Sequence, residues 1–281
     1  MIKLNALITN TSYYCGISYL FRKIFSSKGK FVIMFHGVSK KKNPNLPMDI
    51  QPHLDINQFN FILNWIKNSF QILDPDTFMT SQQNGVLLTF DDGFLNNFSN
   101  VLPVLETYDA PALFFITTEN IEFPEKWLHF ITDKLKNYGI NKSDLSRDTR
   151  KDLFDGISKR NLIKMSSNPL VTIGSHSKTH PLLSQCSNED LNVEIIRSKK
   201  YLESLIKRPV RFFAYPSGDY NQLVLDKVSN SGYEAAFGID KIENLGRTKF
   251  EIPRIGIYSS KKPYLAAKFS GLYQSPIKYL K

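Results

Sequence analysis

The chain of 281 residues is long enough to bury a large core, either as one α/β barrel or as two small domains. Hydrophobic residues make up 42% and charged residues 22%, which excludes a disordered or fibrous chain. The net charge of +10 gathers at the ends: residues 1–48 carry lysines and arginines without one acidic residue, and the stretch from Lys261 onward is purely basic. Between these ends the two signs are interspersed, with no zinc-finger, recognition-helix or basic-aromatic pattern, so nucleic acid is not a predicted partner.

In chain order, a basic N-terminal extension (1–30) comes first. Asn5, Thr9, Asn10, Thr11 and Ser12 interrupt its apolar runs before they reach signal-peptide or membrane-span length, which predicts a cytoplasmic chain. "ISYLFRKIF" (17–25) can place aromatics and cations on opposite helix faces. That pattern fits peripheral contact with an anionic membrane as well as a helix packed on the fold. Short apolar runs then recur: "FVIMF" (31–35), "VLLTF" (86–90), "ALFFIT" (112–117), "VTIG" (171–174), "RFFAY" (211–215) and "AAFGI" (235–239). Helical periods separate them, with Phe59, Ile62, Trp65 and Ile66 on one face of 57–69, and Leu191, Ile195 and Leu202 on one face of 188–206. Asn57 and Asn188 stand where caps belong. Alternating strands and helices predict an α/β fold with a parallel sheet, as a barrel or a doubly wound sheet. Residues 119–168 lack a strand candidate and read as a helical insertion over one mouth, followed later by a basic C-terminal tail (261–281). The insertion's Trp127, Phe130 and Tyr138 fit either sugar stacking or core packing. Cys15 and Cys186 are far apart and form neither a disulfide framework nor a thiolate metal spacing.

In parallel α/β folds, polar residues at the carboxyl ends of strands gather at one face, and sites are built there. "TFDDG" (89–93) delivers Asp91 and Asp92 to such an end. One aspartate after a strand commonly caps the next turn, but two in succession repel and call for a further partner. "GSHSKTHPLLS" (174–184) follows another strand, and its His176 and His180 are four apart. A helical turn there would send both imidazoles to one side, within reach of one cation. Two imidazoles and one carboxylate make a metal site with positions left open for water and substrate. The other carboxylate is then free to act as a base toward water that the ion has acidified.

Together with "FFAYPSGDY" (212–220), these motifs resemble the first three motifs of the polysaccharide deacetylases, the NodB-homology or carbohydrate esterase family 4 enzymes. The resemblance runs from "FVIMFHGVS" through "IPRIGIY", residues 31–258 without the insertion. It implies a distorted (β/α) barrel of about seven strands in a deacetylase domain over 31–260. It also implies one divalent metal ion, zinc first and cobalt, nickel or manganese next. The implied reaction is removal of N-acetyl groups from the amino sugars of a polysaccharide or lipid-linked glycan. Carried over residue by residue, Asp91 is the base and Asp92, His176 and His180 hold the metal. An oxyanion donor is expected from Tyr215 or Ser217, since Pro216 has no N–H.

Two positions depart from the family pattern. Ala214 stands where many members carry an arginine that holds the base, and Arg254 resembles the arginine a sub-group places on a later strand; Arg211 reads as a surface residue. No histidine follows His180, which leaves His36 as the candidate proton donor, in a context similar to the YHxV start of the poly-N-acetylglucosamine deacetylase-like sub-group. His53 and His129 are assigned no role. Competing readings change the substrate to an O-acetyl ester or a non-sugar amide, or keep glycan binding without catalysis. The oligomeric state is left open.

Overall fold

The computed structural model describes residues 10–16, 29–239 and 248–269; the stretch 17–25 and the end of the tail lie outside them. The strands are β1 (Lys30–Phe35), β2 (Val38–Ser39), β3 (Leu54–Asp55), β4 (Gly85–Phe90), β5 (Ala112–Ile116), β6 (Val171–Ser175), β7 (Phe212–Ala214), β8 (Ala235–Phe237) and β9 (Ile255–Gly256). Seven of them form one parallel sheet in the order β8-β7-β6-β5-β4-β1-β9, while β2 and β3 make a separate parallel pair. The sheet curls into a distorted (β/α) barrel. A parallel bridge between Phe237 and Ile252 brings the chain ahead of β9 back onto β8.

Curling a parallel sheet under covering helices buries both of its faces, so its strands need apolar residues at every position. Alternate residues then divide into two layers. Val32, Leu87, Leu113, Phe115, Phe212, Ala214, Ala235 and Phe237 pack together inside the barrel. Phe31, Ile33, Phe35, Val86, Leu88, Phe90 and Phe114 face outward into a larger core under the helices. This parity aims whatever follows each strand. Residues continuing the inner series past the carboxyl ends of β1, β4 and β6 are His36, Asp91 and His176.

The predicted helices form with their apolar faces buried, but they start elsewhere. Asp55, not Asn57, caps Ile56–Lys67, in a reciprocal box with Gln58. Ser187, not Asn188, caps the second helix, in the same arrangement with Asp190. Both are S/D-x-x-Q/D capping boxes, a local signal that a search for apolar periodicity passes over. The second helix is also interrupted by a π-helical segment, Asn192–Arg197.

Residues 119–168 fold as short helices, Glu119–Glu122, His129–Asn137, Arg147–Leu153 and Lys159–Ser166, with a 3₁₀ turn at Lys142–Asp144. Most of this stretch builds its own small core from Trp127, Leu128, Ile131, Leu135, Leu153 and Phe154, joined by Leu46, Ile50 and Phe94. Trp127 is therefore a packing residue, its indole N–H donating to Asp155 at 2.8 Å. The basic C-terminal segment begins with a helix, Lys262–Lys268, whose Leu265, with the following Phe269, is fully buried in the main core. Phe269 lies against Phe31, Trp65 and Phe70. Among the described residues no helix is long and apolar enough to cross a membrane.

Phe90, the last residue of β4, is stacked between Phe35 and Phe114 at ring separations of 5.2 and 4.8 Å, with Phe59 edge-on at 5.8 Å. Phe90→Ala is expected to destabilise the fold by about 3–5 kcal/mol, measured by chemical denaturation, because a stacked ring leaves a cavity that its rigid strand neighbours cannot fill.

Candidate active site

The mouth of the barrel encloses a cavity of about 370 Å³ lined by His36, Asp91, Asp92, His176, His180, Tyr215 and Ser217 among others. Asp91 arrives by strand parity, on the same side as Leu87 and Thr89. Asp92 would then point away, yet its backbone adopts φ 74° and Gly93 follows at φ 73°. Two successive left-handed residues reverse the chain and swing the second carboxylate back to the mouth. The glycine is required by that backbone and by Ile116, whose Cγ2 lies 3.0 Å from where a Cβ would stand.

The two carboxylates have opposite surroundings. The buried Arg254 guanidinium donates to both oxygens of Asp91, at 2.6 and 2.8 Å. Arg254 is itself fixed by the Gly238 carbonyl at 3.1 Å and stacks over the Phe115 ring at 5.4 Å. Burial, the largest single influence, pushes the Asp91 carboxyl up, but the Arg254 charge and hydrogen bonds together with the pull of His176 and His36 outweigh it and bring it to about 2. Asp92 has no such partner. Burial first, and then the Asp91 charge, push it well above the usual carboxylate range, and its Oδ1 is buried without a hydrogen bond.

That Oδ1 lies 3.6 Å from His176 Nε2 and 3.6 Å from His180 Nε2. Asp92, His176 and His180 are all buried, and their ligand atoms lie within 4.8 Å of one another. Burial lowers both imidazoles, His180 to about 3, so both are neutral at physiological pH. The Ala214 carbonyl stands 2.9 Å from His176 Nδ1. A carbonyl only accepts, so Nδ1 carries the proton and Nε2 turns its lone pair toward Asp92. The turn between the histidines is not helical. Ser177 and His180 adopt φ 65° and 63°, and these two reversals, not a helical repeat, bring the rings to 5.0 Å.

Glu194, on the π-helical segment, holds this turn and carries no sequence signal of its own. Its carboxylate accepts from the N–H groups of Lys178 and Thr179 and from the Thr179 hydroxyl, each at 2.8 Å. Asp219 similarly accepts from the N–H and hydroxyl of Ser184, tying the third motif to the second.

The remaining expectations divide. Tyr215 is excluded as a backbone donor because its N–H already bonds the Phe237 carbonyl at 3.0 Å, and its hydroxyl is spent on the Phe250 carbonyl. Ser217 is exposed at the cavity with a left-handed backbone, φ 54°. His36 lines the cavity, but burial lowers it to about 4, against the pull of Asp91. It is therefore neutral in the resting site at pH 7 and could serve as a proton donor only after taking up a proton during the reaction. Arg211 pairs with Asp76 at 2.6 Å, away from the cavity. His53, His129, Phe130 and Tyr258, given no role or left open by sequence reasoning, also line it. They come from the β2–β3 connection, the insertion and the segment after β9, which meet only in the folded chain. Phe130 lies 5.2 Å from the His180 ring, and His53 packs on Tyr258 at 4.8 Å. Tyr138 points outward, its hydroxyl on Asp49.

The family model described as polysaccharide deacetylase matches residues 79–236, which include both aspartates, both histidines and the third motif. The chain belongs to the polysaccharide deacetylase family. It is 23% identical over 225 residues to a poly-beta-1,6-N-acetyl-D-glucosamine N-deacetylase of Staphylococcus aureus, an alignment covering 77% of this chain and 72% of that one. It is 24% identical to YxkH of Bacillus subtilis, a polysaccharide deacetylase by name, over 72% of this chain but only 62% of that longer relative. Among solved structures, the deacetylase PplD of Streptococcus pyogenes aligns with a TM-score of 0.64 at 19% identity, covering 84% of this chain and 95% of that one. IcaB of Ammonifex degensii aligns with a TM-score of 0.64 at 19% identity, covering 86% and 97%. These structures share the fold of this deacetylase-family chain. Arg254 and His36 lie outside the matched segment, and the barrel alone brings them to it.

Arg254→Met leaves Asp91 as a buried charge without its partner, and in metal-free protein it is expected to cost about 3–5 kcal/mol near neutral pH. The Asp91 carboxyl is depressed from 3.8 to about 2 in the folded state. Its stabilisation is therefore present above its unfolded value and lost as pH falls through the folded one. Urea titrations should show the gap between wild type and variant widest near about pH 7 and closing below about pH 4; a gap constant with pH would contradict the pairing.

Proposed function

We propose that this chain is a metal-dependent deacetylase that hydrolyses the N-acetyl groups of amino sugars in a glycan polymer or lipid-linked glycan. The observation that carries the reading is the division between its two buried carboxylates, Asp91 ionised against Arg254 and Asp92 left without a partner among two neutral imidazoles.

The donor set fits a divalent ion. An orphaned buried carboxylate oxygen and two imidazoles make a borderline N/O site of the kind zinc favours, with cobalt, nickel and manganese also accepted. Asp92, His176 and His180 would hold the ion, which when bound would supply Lewis-acid polarisation of the acetyl carbonyl and acidify water. Asp91 takes the proton from the attacking water. Its conjugate acid is strong because Arg254 stabilises the carboxylate, so the same carboxyl readily returns that proton to the leaving nitrogen. With the Tyr215 N–H engaged elsewhere, the Ser217 N–H at the cavity would donate to the oxyanion. His36, neutral in the resting site, orients the acetamido group by hydrogen bonding. The relative from Staphylococcus aureus supports a polymer of N-acetylglucosamine as substrate, and the uncharged character of such a polymer suits a cavity walled by Phe130, Leu182, Ile239 and Tyr258. A site of this kind needs no nucleic-acid partner. Peripheral contact with an anionic membrane surface would suit lipid-linked substrates.

Zinc- or cobalt-loaded protein should release acetate and expose one free amine per acetate from N-acetylglucosamine oligomers. Asp91→Asn should lower kcat by about 10²–10⁴-fold while retaining the bound metal. His176→Ala should lose metal and activity together, and chelation should abolish activity reversibly. Release from O-acetyl but not N-acetyl substrates would assign the same site to ester hydrolysis instead. Metal-loaded protein inactive on both would sink the proposal.

A further inference from the structure

The stretch after the paired aspartates, "GFLNNFSNV" (93–101), carries three buried asparagines that the proposed chemistry does not use. Asn96, Asn97 and Asn100 are 1%, 1% and 2% exposed. Their amides all close on one short segment, His36-Gly37-Val38. Asn96 Oδ1 accepts from the Val38 N–H at 3.1 Å, and Asn100 Nδ2 donates to the Val38 carbonyl at 2.8 Å. Asn97 Nδ2 donates to the His36 carbonyl at 3.0 Å. Gly37 is glycine because of this grip: a Cβ there would stand 2.9 Å from Asn96 Nδ2. A π-helical turn over Asn97–Val101 begins at Asn97 itself, a distortion that recurs at functional sites.

The three amides are not equivalent. Asn96 and Asn100 each make a second bond to Asp152 of the insertion, to its carbonyl at 2.9 Å and its Oδ1 at 2.9 Å, and so staple β1, β4 and the insertion together. Asn97 makes one bond and leaves its Oδ1 buried without a partner. A carbonyl cannot face another carbonyl, so the amide must present its NH₂ to His36 and strand its oxygen. An unpaired buried acceptor costs at least as much as one neutral bond returns. A residue in that position adds little to stability.

We infer that Asn97 is a positioning residue for His36: its amide pins the carbonyl at the end of β1 and holds the imidazole at the cavity wall facing Asp91. Asn96 and Asn100 are stabilising residues that complete the same clamp. The inference rests on the proposed reading of the cavity as the place where the substrate's acetamido group reacts, and it assigns the asparagine run after the aspartates to holding a histidine remote in sequence.

Asn97→Ala, Asn96→Ala, His36→Gln and the double variant Asn97→Ala/His36→Gln, each zinc-loaded, test it. Asn97→Ala should lower kcat about ten-fold with KM changed less than about two-fold, and the same substitution in the His36→Gln background should lower kcat by less than about two-fold more. Its melting temperature should stay within about 2 °C of wild type, while Asn96→Ala, which breaks two bonds, falls further. Imidazole ¹⁵N spectra of the five histidines, assigned with His36→Gln, should show the His36 signals displaced in Asn97→Ala and those of His53 and His129 unmoved. Equal losses in both backgrounds, unmoved His36 signals, or a melting loss as large as that of Asn96→Ala would overturn the inference. The spectra need no turnover, so inactivity of the wild type would refute the proposed reaction without deciding the position of His36.

Discussion

Two adjacent carboxylates are buried together at the mouth of the barrel, and neither can stay ionised there without a positive partner. Arg254 satisfies one. It comes from the far side of the barrel closure, is held by the Gly238 carbonyl and the Phe115 ring, and grips both oxygens of Asp91. The other carboxylate, Asp92, is left with an unpaired oxygen between two imidazole nitrogens, where burial and the Asp91 charge push its pKa up and leave it open to a proton or a cation. Everything else in the site follows from keeping those two environments distinct at 2% exposure each.

Distinctness is achieved by backbone. Strand parity sends Asp91 inward toward Arg254, and a left-handed residue sends Asp92 toward the histidines instead of out of the barrel. The same device is used twice in the histidine turn, at Ser177 and His180. Non-glycine residues in this region are strained, and they persist only where the surroundings over-determine them. Here the surroundings are identifiable. Glu194 takes the turn's N–H groups, Ser177 Oγ accepts from the His180 N–H at 3.0 Å, and the Ala214 carbonyl fixes the His176 ring.

The second layer of the site is thus carried by residues other than the paired aspartates and histidines. Glu194 sets the histidine turn, Asp219 of the third motif ties down Ser184 at the end of the second, and the asparagines after β4 set the end of β1. The insertion adds Phe130 against His180 and, through Asp152, shares the asparagine clamp. Its helices are therefore coupled to the chemical centre and not merely laid over it, which links the shape of the cleft to the position of the reacting groups.

How much of this was legible in the sequence depends on the range of the interaction involved. Buried parallel strands must be apolar at nearly every position, so β1, β4, β5, β6, β7 and β8 stood out as runs, and the tandem of "TFDDG" and "HSKTH" marked the residues that now meet. Helix starts were misplaced because Asp55 and Ser187 act through local capping bonds that apolar periodicity does not register. Tyr215 was offered as a donor because nothing local reveals that its N–H is taken by a strand paired only in the folded state. His53, His129 and Glu194 had no motif and became neighbours of the site through barrel closure and the docking of the insertion. The sequence by itself determined the strand rhythm, the family and the set of side chains able to bind a cation, since these depend on composition and short spacing. Tertiary structure alone decided which aspartate is ionised and which is left without a charged partner, because that depends on where Arg254 lies, 163 residues away in the chain.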